Sequence, residues 1–270
     1  MRAIRNPTGD ADAVVGRDVV VAYGRTVVIA ASDVTIPRAR LTSVIGPNGA
    51  GKSTLLHAIA GLVELRSGSL AVLGARPEAA RSRVAYVFQT ARVNDNLPVT
   101  VSEVVGMGRY ASLGPFGRFR TADRAAVDRA MESMGILDLR RHHLRELSGG
   151  QRQRVFVAQG LAQDADVLLL DEPLTGLDIP SHERIDTVLE AEVARGVTVV
   201  VTTHDLDEAR RADHVVVLAG RVVASGTPEV SLDDAVLAEA YGGHLLHFDE
   251  GPGVVLDDAA HGRGTPHDAH

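Results

Sequence analysis

GPNGAGKST, residues 46–54, contains Lys52, the only lysine in a chain that carries 27 arginines. From Gly46 to Ser53 the stretch fits G-x-x-x-x-G-K-[ST]. It follows LTSVIG, a short apolar strand, and opens STLLHAIAGLV, where Leu55, Leu56, Ile59, Leu62 and Val63 recur at helical spacing. A strand, a glycine turn and a helix are the context in which this motif binds phosphate. The glycines permit positive φ and let backbone N–H groups reach an anion with no Cβ between. The helix start adds a partial positive charge. In this reading Gly46, Pro47, Asn48, Gly49, Ala50, Gly51, Lys52, Ser53 and Thr54 form the cradle. Lys52 reaches the β- and γ-phosphates and Ser53 ligates Mg²⁺. A compact ammonium with three rotatable donors fits inside a tight loop around tetrahedral phosphate, whereas the planar fork of Arg is bulkier and prefers a flat bidentate partner. The lone lysine therefore marks a position where geometry resists the general drift to arginine.

The rest of the composition narrows the classes. At 270 residues and 45% apolar, the chain can build one or two globular domains with a sizeable core. Aromatics are scarce at 3%, so Val, Leu, Ile and Ala must fill that core. With no cysteine, disulfides, thiolate metal sites and cysteine nucleophiles are excluded. The net charge of −7 gives no basic footprint for nucleic acid. No segment reads as a signal peptide or a membrane helix, so membrane work would need another chain as anchor.

Outward from the glycine loop, DVVVAYG, TVVIAASDVTI, GSLAVLG and RVAYVFQ read as strands. From about 98 to 165 the pattern turns helical. Thr100 and Glu103 have capping-box spacing, and TADRAAVDRAMESMG puts Ala125, Val127, Ala130, Met131 and Met134 on one apolar face before Gly135. ADVLLLDEP and GVTVVVTTHD return to strand, and HVVVLAGRVVASG reads as one more. Runs such as VLLLD are continuously apolar, as in parallel strands buried on both faces. The pattern is an α/β core with a helical insertion. The expected organisation is a disordered leader at 1–13, one domain at 14–248 (core 14–97 and 166–248, helical part about 98–165) and a disordered tail at 249–270.

VLLLDEP supplies the acids such a loop needs. A buried strand delivers Asp171 and Glu172 at its C-terminal end, where open α/β sheets bind ligands. Asp171 suits the Mg²⁺ shell and Glu172 suits a base or orienter for attacking water. LSGGQRQR, residues 147–154, is a second glycine element. Ser148 and Gln151 have the spacing of a helix capping box, yet Gly149 and Gly150 are poor helix formers that expose bare backbone N–H groups. That suits an anion, without saying whose.

In this order the elements resemble the ATP-binding subunit of ABC transporters, over roughly residues 14–243. GPNGAGKS resembles Walker A, Gln89 the Q-loop glutamine, LSGGQ the signature and LLLDEP Walker B. LTGLD, with Asp178, resembles the D-loop, His204 the switch histidine, and Tyr23 in VAYG the aromatic that stacks on adenine. The resemblance implies a RecA-like P-loop NTPase core with an antiparallel β subdomain and an inserted α-helical signature subdomain. It implies ATP and Mg²⁺ as cofactors, with Ser53, Gln89 and Asp171 around the metal and Glu172, His204 and Gln89 in catalysis. Two copies would pair head to tail, so that Ser148, Gly149 and Gly150 act on the γ-phosphate held by the other copy, and Gln151 and Asp178 are further expected nucleotide-binding residues. The implied place is the cytoplasmic face of the membrane, against integral permease subunits.

For cargo, VNDNLPVTVSEVVGMGRYASLGPF and AEAYGG resemble cassettes of zinc and manganese importers, with iron a third candidate and an extracytoplasmic metal-binding protein as further partner. Siderophore or cobalamin import, or export, stays open because a cassette does not bind cargo. A non-transport ABC ATPase fits poorly: the chain has one cassette and no coiled-coil or zinc-bearing insertion. A GTPase would need the lysine of N-K-x-D, and there is none. His244, His247, His261, His267 and His270 crowd the last 27 residues and form a candidate metal-binding tail.

Overall fold

Continuously apolar strands stack side by side into a sheet from whose C-terminal edge the glycine loop, the acids and His204 emerge. The structure is a computed structural model that describes residues 12–88, 98–113 and 117–242, and the backbone of 245–247 and 254–256. The N-terminal elements are β1 (Asp12–Tyr23), β2 (Thr26–Pro37), β3 (Leu41–Ile45), α1 (Lys52–Ile59), β4 (Ser67–Val72), α2 (Pro77–Ala80) and β5 (Val84–Val87). The insertion holds α3 (Val101–Met107), α4 (Tyr110–Leu113), α5 (Thr121–Ser133) and α6 (Gly149–Ala162). Then come β6 (Val167–Leu170), α7 (Ile179–Ala194), β7 (Thr198–Thr202), α8 (Leu206–Arg210), β8 (His214–Leu218) and β9 (Val222–Gly226). The chain closes with α9 (Pro228–Ser231), α10 (Asp234–Tyr241), β10 (Leu245–His247) and β11 (Val254–Leu256).

The main sheet has six strands in the order β5-β6-β7-β3-β8-β9, parallel except for the antiparallel β9. All four residues of β6 and all five of β7 are buried, as their unbroken apolar runs require. β3 and β6, which lead into the glycine loop and the acids, are separated only by β7. HVVVLAGRVVASG is not one strand: Gly220, at φ +69, turns it into the β8–β9 hairpin.

A second sheet, antiparallel β2-β1-β4, packs on the first with α1 between them. Val14, Val21, Ile29, Ile36, Leu56 and Ile59 meet Leu169 and Val200 there. β1 begins at Asp12, inside the stretch 1–13 read as leader, and Ala13 is buried. α1 ends at Ile59, so Leu62 leaves the apolar face and is exposed. β11 lies within 249–270, the stretch expected to be disordered, and pairs antiparallel with β10.

The insertion shares one apolar cluster with a face of the main sheet: Val104, Val127, Met131 and Val155 join Leu168, Leu170 and Val201, with Ile185 of α7. Thr100 caps α3 with a full capping box: its Oγ1 accepts from Glu103 N and the Glu103 carboxylate accepts from Thr100 N. α5 buries Ala126, Val127, Ala130 and Met131, with Met134 just beyond, so the face is set by Ala126 and not by the exposed Ala125. Arg109 ties the insertion together, donating to Asp123 at 3.0 Å and to the Ala162 carbonyl at 2.9 Å. Met131→Ala should cost about 2–5 kcal/mol through the cavity it leaves. Ala125→Glu should stay within about 0.5 kcal/mol. Denaturant unfolding of the two variants checks both.

Candidate functional site

Backbone geometry shapes the glycine loop first. Gly46, at φ +152, sits so close to the neighbouring strand that a Cβ there would lie 2.0 Å from the Leu218 carbonyl oxygen. Gly51, at φ +102, is the N-cap of α1 and offers no side-chain cap. The first-turn N–H groups of α1 therefore face the loop without a side chain across them. Lys52 is 7% exposed, and its Nζ donates to the carbonyls of Gly46 at 2.7 Å and Pro47 at 3.3 Å. The ammonium thus already sits inside the loop. Gly220 braces it from behind, donating to Ala50 O at 3.0 Å while accepting from Ala30 N at 2.8 Å. Ser53 is exposed and Thr54 is buried.

The acids stand one strand away. Asp171, 8% exposed, follows β6 and is held through both oxygens. Thr202 Oγ1 donates to its Oδ1 at 2.7 Å and the Tyr86 hydroxyl to its Oδ2 at 3.2 Å. Burial first, then the Asp171 charge, push the Tyr86 phenol well above its usual pKa and keep it a donor. Thr202 also accepts from the Glu172 backbone N–H at 2.8 Å. Glu172 has φ +48, a left-handed conformation that is uncommon for a non-glycine residue and costs energy. Neither Thr202 nor Tyr86 is among the residues that sequence patterns single out. The available signals were the polar pair ending VTVVVTT and the lone phenol in RVAYVFQ.

His204 is exposed just past β7, the strand between β6 and β3, and so emerges between the acids and the glycine loop. Its neighbour Thr203 donates to Glu208 at 2.6 Å, and Glu208 contacts His182 of α7 at 3.1 Å. Tyr23, 48% exposed at the end of β1, brings its hydroxyl to 3.5 Å from His57 Nδ1. Burial lowers the His57 pKa, opposed by the Asp171 charge. His57 also meets Tyr86, at 5.4 Å between ring centroids, and Tyr86 meets Phe88 at 4.4 Å. Gln89 lies outside the described residues.

The second glycine element is a capping box in fact: Ser148 Oγ accepts from Gln151 N at 3.2 Å and Gln151 Oε1 accepts from Ser148 N at 3.0 Å. Around Gly149 there is open space, whereas a Cβ on Gly150 would lie 2.3 Å from Asp178 Oδ1. The signature turn and Asp178 are therefore in contact within one chain. Of the tail histidines, His247 is described only as β10 backbone, and His244, His261, His267 and His270 lie outside the described residues. Among the described residues no cluster of three or more His, Asp or Glu could hold a metal ion, and no helix is long and apolar enough to cross a membrane.

The arrangement suits a nucleoside triphosphate with a divalent cation. It offers a cradle of bare N–H groups and a buried ammonium for the phosphates. It offers a hydroxyl at Ser53 and a clamped carboxylate at Asp171, hard oxygen donors of the kind Mg²⁺ takes.

Comparison with known proteins agrees. The family described as ABC transporter matches residues 29–175. The zinc transport system ATP-binding protein TroB of Treponema pallidum (strain Nichols) is 42% identical over 229 residues, 84% of this chain and 86% of that protein. The manganese transport system ATP-binding protein MntB of Bacillus subtilis (strain 168) is 38% identical over 229 residues, 84% of this chain and 92% of that one. Among solved structures, a nucleotide-free ATP-binding cassette from an ABC transporter shares the fold with a TM-score of 0.72 at 22% identity, covering 84% of this chain and 97% of that chain. A buried lysine in a glycine cradle, acids one strand away and a family match across both place the chain in the ABC transporter family, as an ATP-hydrolysing cassette.

Proposed function

We propose that this cassette powers import of a divalent metal ion, zinc or manganese, through separate permease subunits fed by an extracytoplasmic metal-binding protein. The observation that carries the cargo is the 42% and 38% identity, over most of each chain, to proteins whose names assign them to zinc and manganese transport. Iron is the third candidate, since a chelated iron transport system protein of Yersinia pestis, YfeB, is 36% identical over 81% of this chain and 75% of that one. The cassette has no spanning helix among its described residues, and the permease would hold it at the inner face of the membrane.

In this reading Lys52 exchanges its carbonyl partners for phosphate oxygens. Ser53, Asp171 and Gln89 would hold Mg²⁺, which neutralises charge on the β- and γ-phosphates when bound. Tyr23 presents an exposed ring face to adenine. Glu172 orients the attacking water and takes its proton, and His204 stands beside the γ-phosphate. Ser148, Gly149 and Gly150 act on the γ-phosphate held by a second copy, paired head to tail, with Asp178 at the same junction.

Three experiments test these assignments. Glu172→Gln should keep ATP binding while hydrolysis falls roughly 10²–10⁴-fold; ordinary turnover in the purified variant removes Glu172 from its role. Mixing Ser148→Arg chains with Lys52→Ala chains leaves one intact composite site per heterodimer. The mixture should recover ATPase activity above either parent, and no recovery would argue against shared sites. Membrane vesicles carrying the cassette with its permease should take up radiolabelled zinc or manganese only with ATP; uptake of neither metal overturns the cargo.

A further inference from the structure

Tyr86 is placed where packing alone does not require a hydroxyl. Its ring packs among the apolar side chains behind α1, where Phe would fit as well, and the phenol instead ends on Asp171 Oδ2 at 3.2 Å. With Thr202 on Oδ1 at 2.7 Å, the carboxylate has one donor on each oxygen and cannot turn about its own axis without losing both. Each oxygen keeps a further lone-pair site for a cation or its water. The ring itself is walled by Phe88, at 4.4 Å, and by His57, at 5.4 Å between centroids. His57 is four residues after Ser53 on α1, so the two side chains share a helix face. One short helix thus carries a cation hydroxyl at its start and, at its last turn, the wall against the phenol that holds the cation carboxylate. On its far side His57 meets the Tyr23 hydroxyl at 3.5 Å, next to the adenine site proposed above.

We propose that Tyr86 is a positioning residue for Asp171, kept in place by His57, and that this pair sets the angle at which the carboxylate is offered to the divalent cation. The proposal rests on Asp171 being the Mg²⁺ carboxylate. Partners that orient a metal ligand typically change metal affinity 10–100-fold when removed.

The test uses the full chain, saturated with the non-hydrolysable analogue AMP-PNP, with Mn²⁺ as probe and its binding followed by electron paramagnetic resonance. Tyr86→Phe keeps the ring and deletes the hydroxyl. It should raise the apparent Mn²⁺ Kd about tenfold or more and leave AMP-PNP affinity in EDTA within about twofold of the parent. A residue needed only for packing would lower Tm and leave the Mn²⁺ Kd in place. Asp171→Asn separates the two levels of the argument. If Asp171→Asn loses Mn²⁺ affinity and Tyr86→Phe does not, the positioning role is overturned alone. If Asp171→Asn keeps Mn²⁺ affinity, the metal role of Asp171 falls and the Tyr86 proposal falls with it. His57→Ala, which leaves the hydroxyl and removes its wall, should raise the same Kd in the same direction. It carries the test if Tyr86→Phe does not fold, and an unchanged Kd there would overturn the proposal.

Discussion

A methyl group at residue 46 would break this site. The Cα of Gly46 lies against the Leu218 carbonyl, and a Cβ would approach that oxygen to 2.0 Å. That close approach lets the chain leave β3 and turn at once across the end of β8, instead of running on as strand. The turn then ends at Gly51, in the left-handed region, and α1 starts with its N–H groups directed into the loop it has just made. Lys52 is drawn back over the loop by the Gly46 and Pro47 carbonyls. A longer or planar cation could not close so small a ring of backbone acceptors, which is why arginine, used at every other basic position, is absent here.

The acidic half of the site depends on a threonine. Thr202 donates to Asp171 and accepts from the Glu172 backbone, so its one hydroxyl joins the carboxylate proposed for the cation to the residue proposed to handle water. Glu172 pays for its position with φ +48, a conformation that costs of order 1–3 kcal/mol. A hydrogen bond to a charged group contributes about 1.5–3 kcal/mol. The two hydroxyls on Asp171, with the Glu172 N–H bond, are of the right size to hold that strain. The strained residue and the clamp are adjacent because β6 and β7 are neighbours, and they are neighbours in the middle of a sheet whose strands are apolar on both faces.

Much of this was legible from local pattern. Both glycine elements, the capping boxes at Thr100 and Ser148, the acids after β6 and the parallel core follow from short-range rules, because backbone donors and buried faces impose them residue by residue. The failures are equally physical. HVVVLAGRVVASG reads as a single strand because alternation does not reveal a hairpin, and only Gly220 at φ +69 marks the turn. Ala125 and Ala126 are interchangeable in a hydrophobic pattern, and packing of α5 on its neighbours chose the second. Tyr86, His57 and Thr202 carry no motif. Each is an ordinary residue on its own element, and its role appears only when β5, α1 and β7 are brought around Asp171.

The signature turn shows how a structural and a functional reading can both hold. Ser148 caps α6 by accepting from the Gln151 N–H, and a cap looks like a complete explanation of the serine. A hydroxyl has two acceptor sites and one donor, and the cap engages the acceptor side alone. The proton remains available to a phosphate oxygen. Gly149 and Gly150 occupy the first two helical positions, whose N–H groups have no partner within a helix. Gly150 must also lack a side chain because Asp178 and Ser181 occupy the space. The capping box therefore holds the serine hydroxyl beside the two glycine N–H groups at the helix start, and these are the three donors that the proposed pairing would offer to the second copy's γ-phosphate.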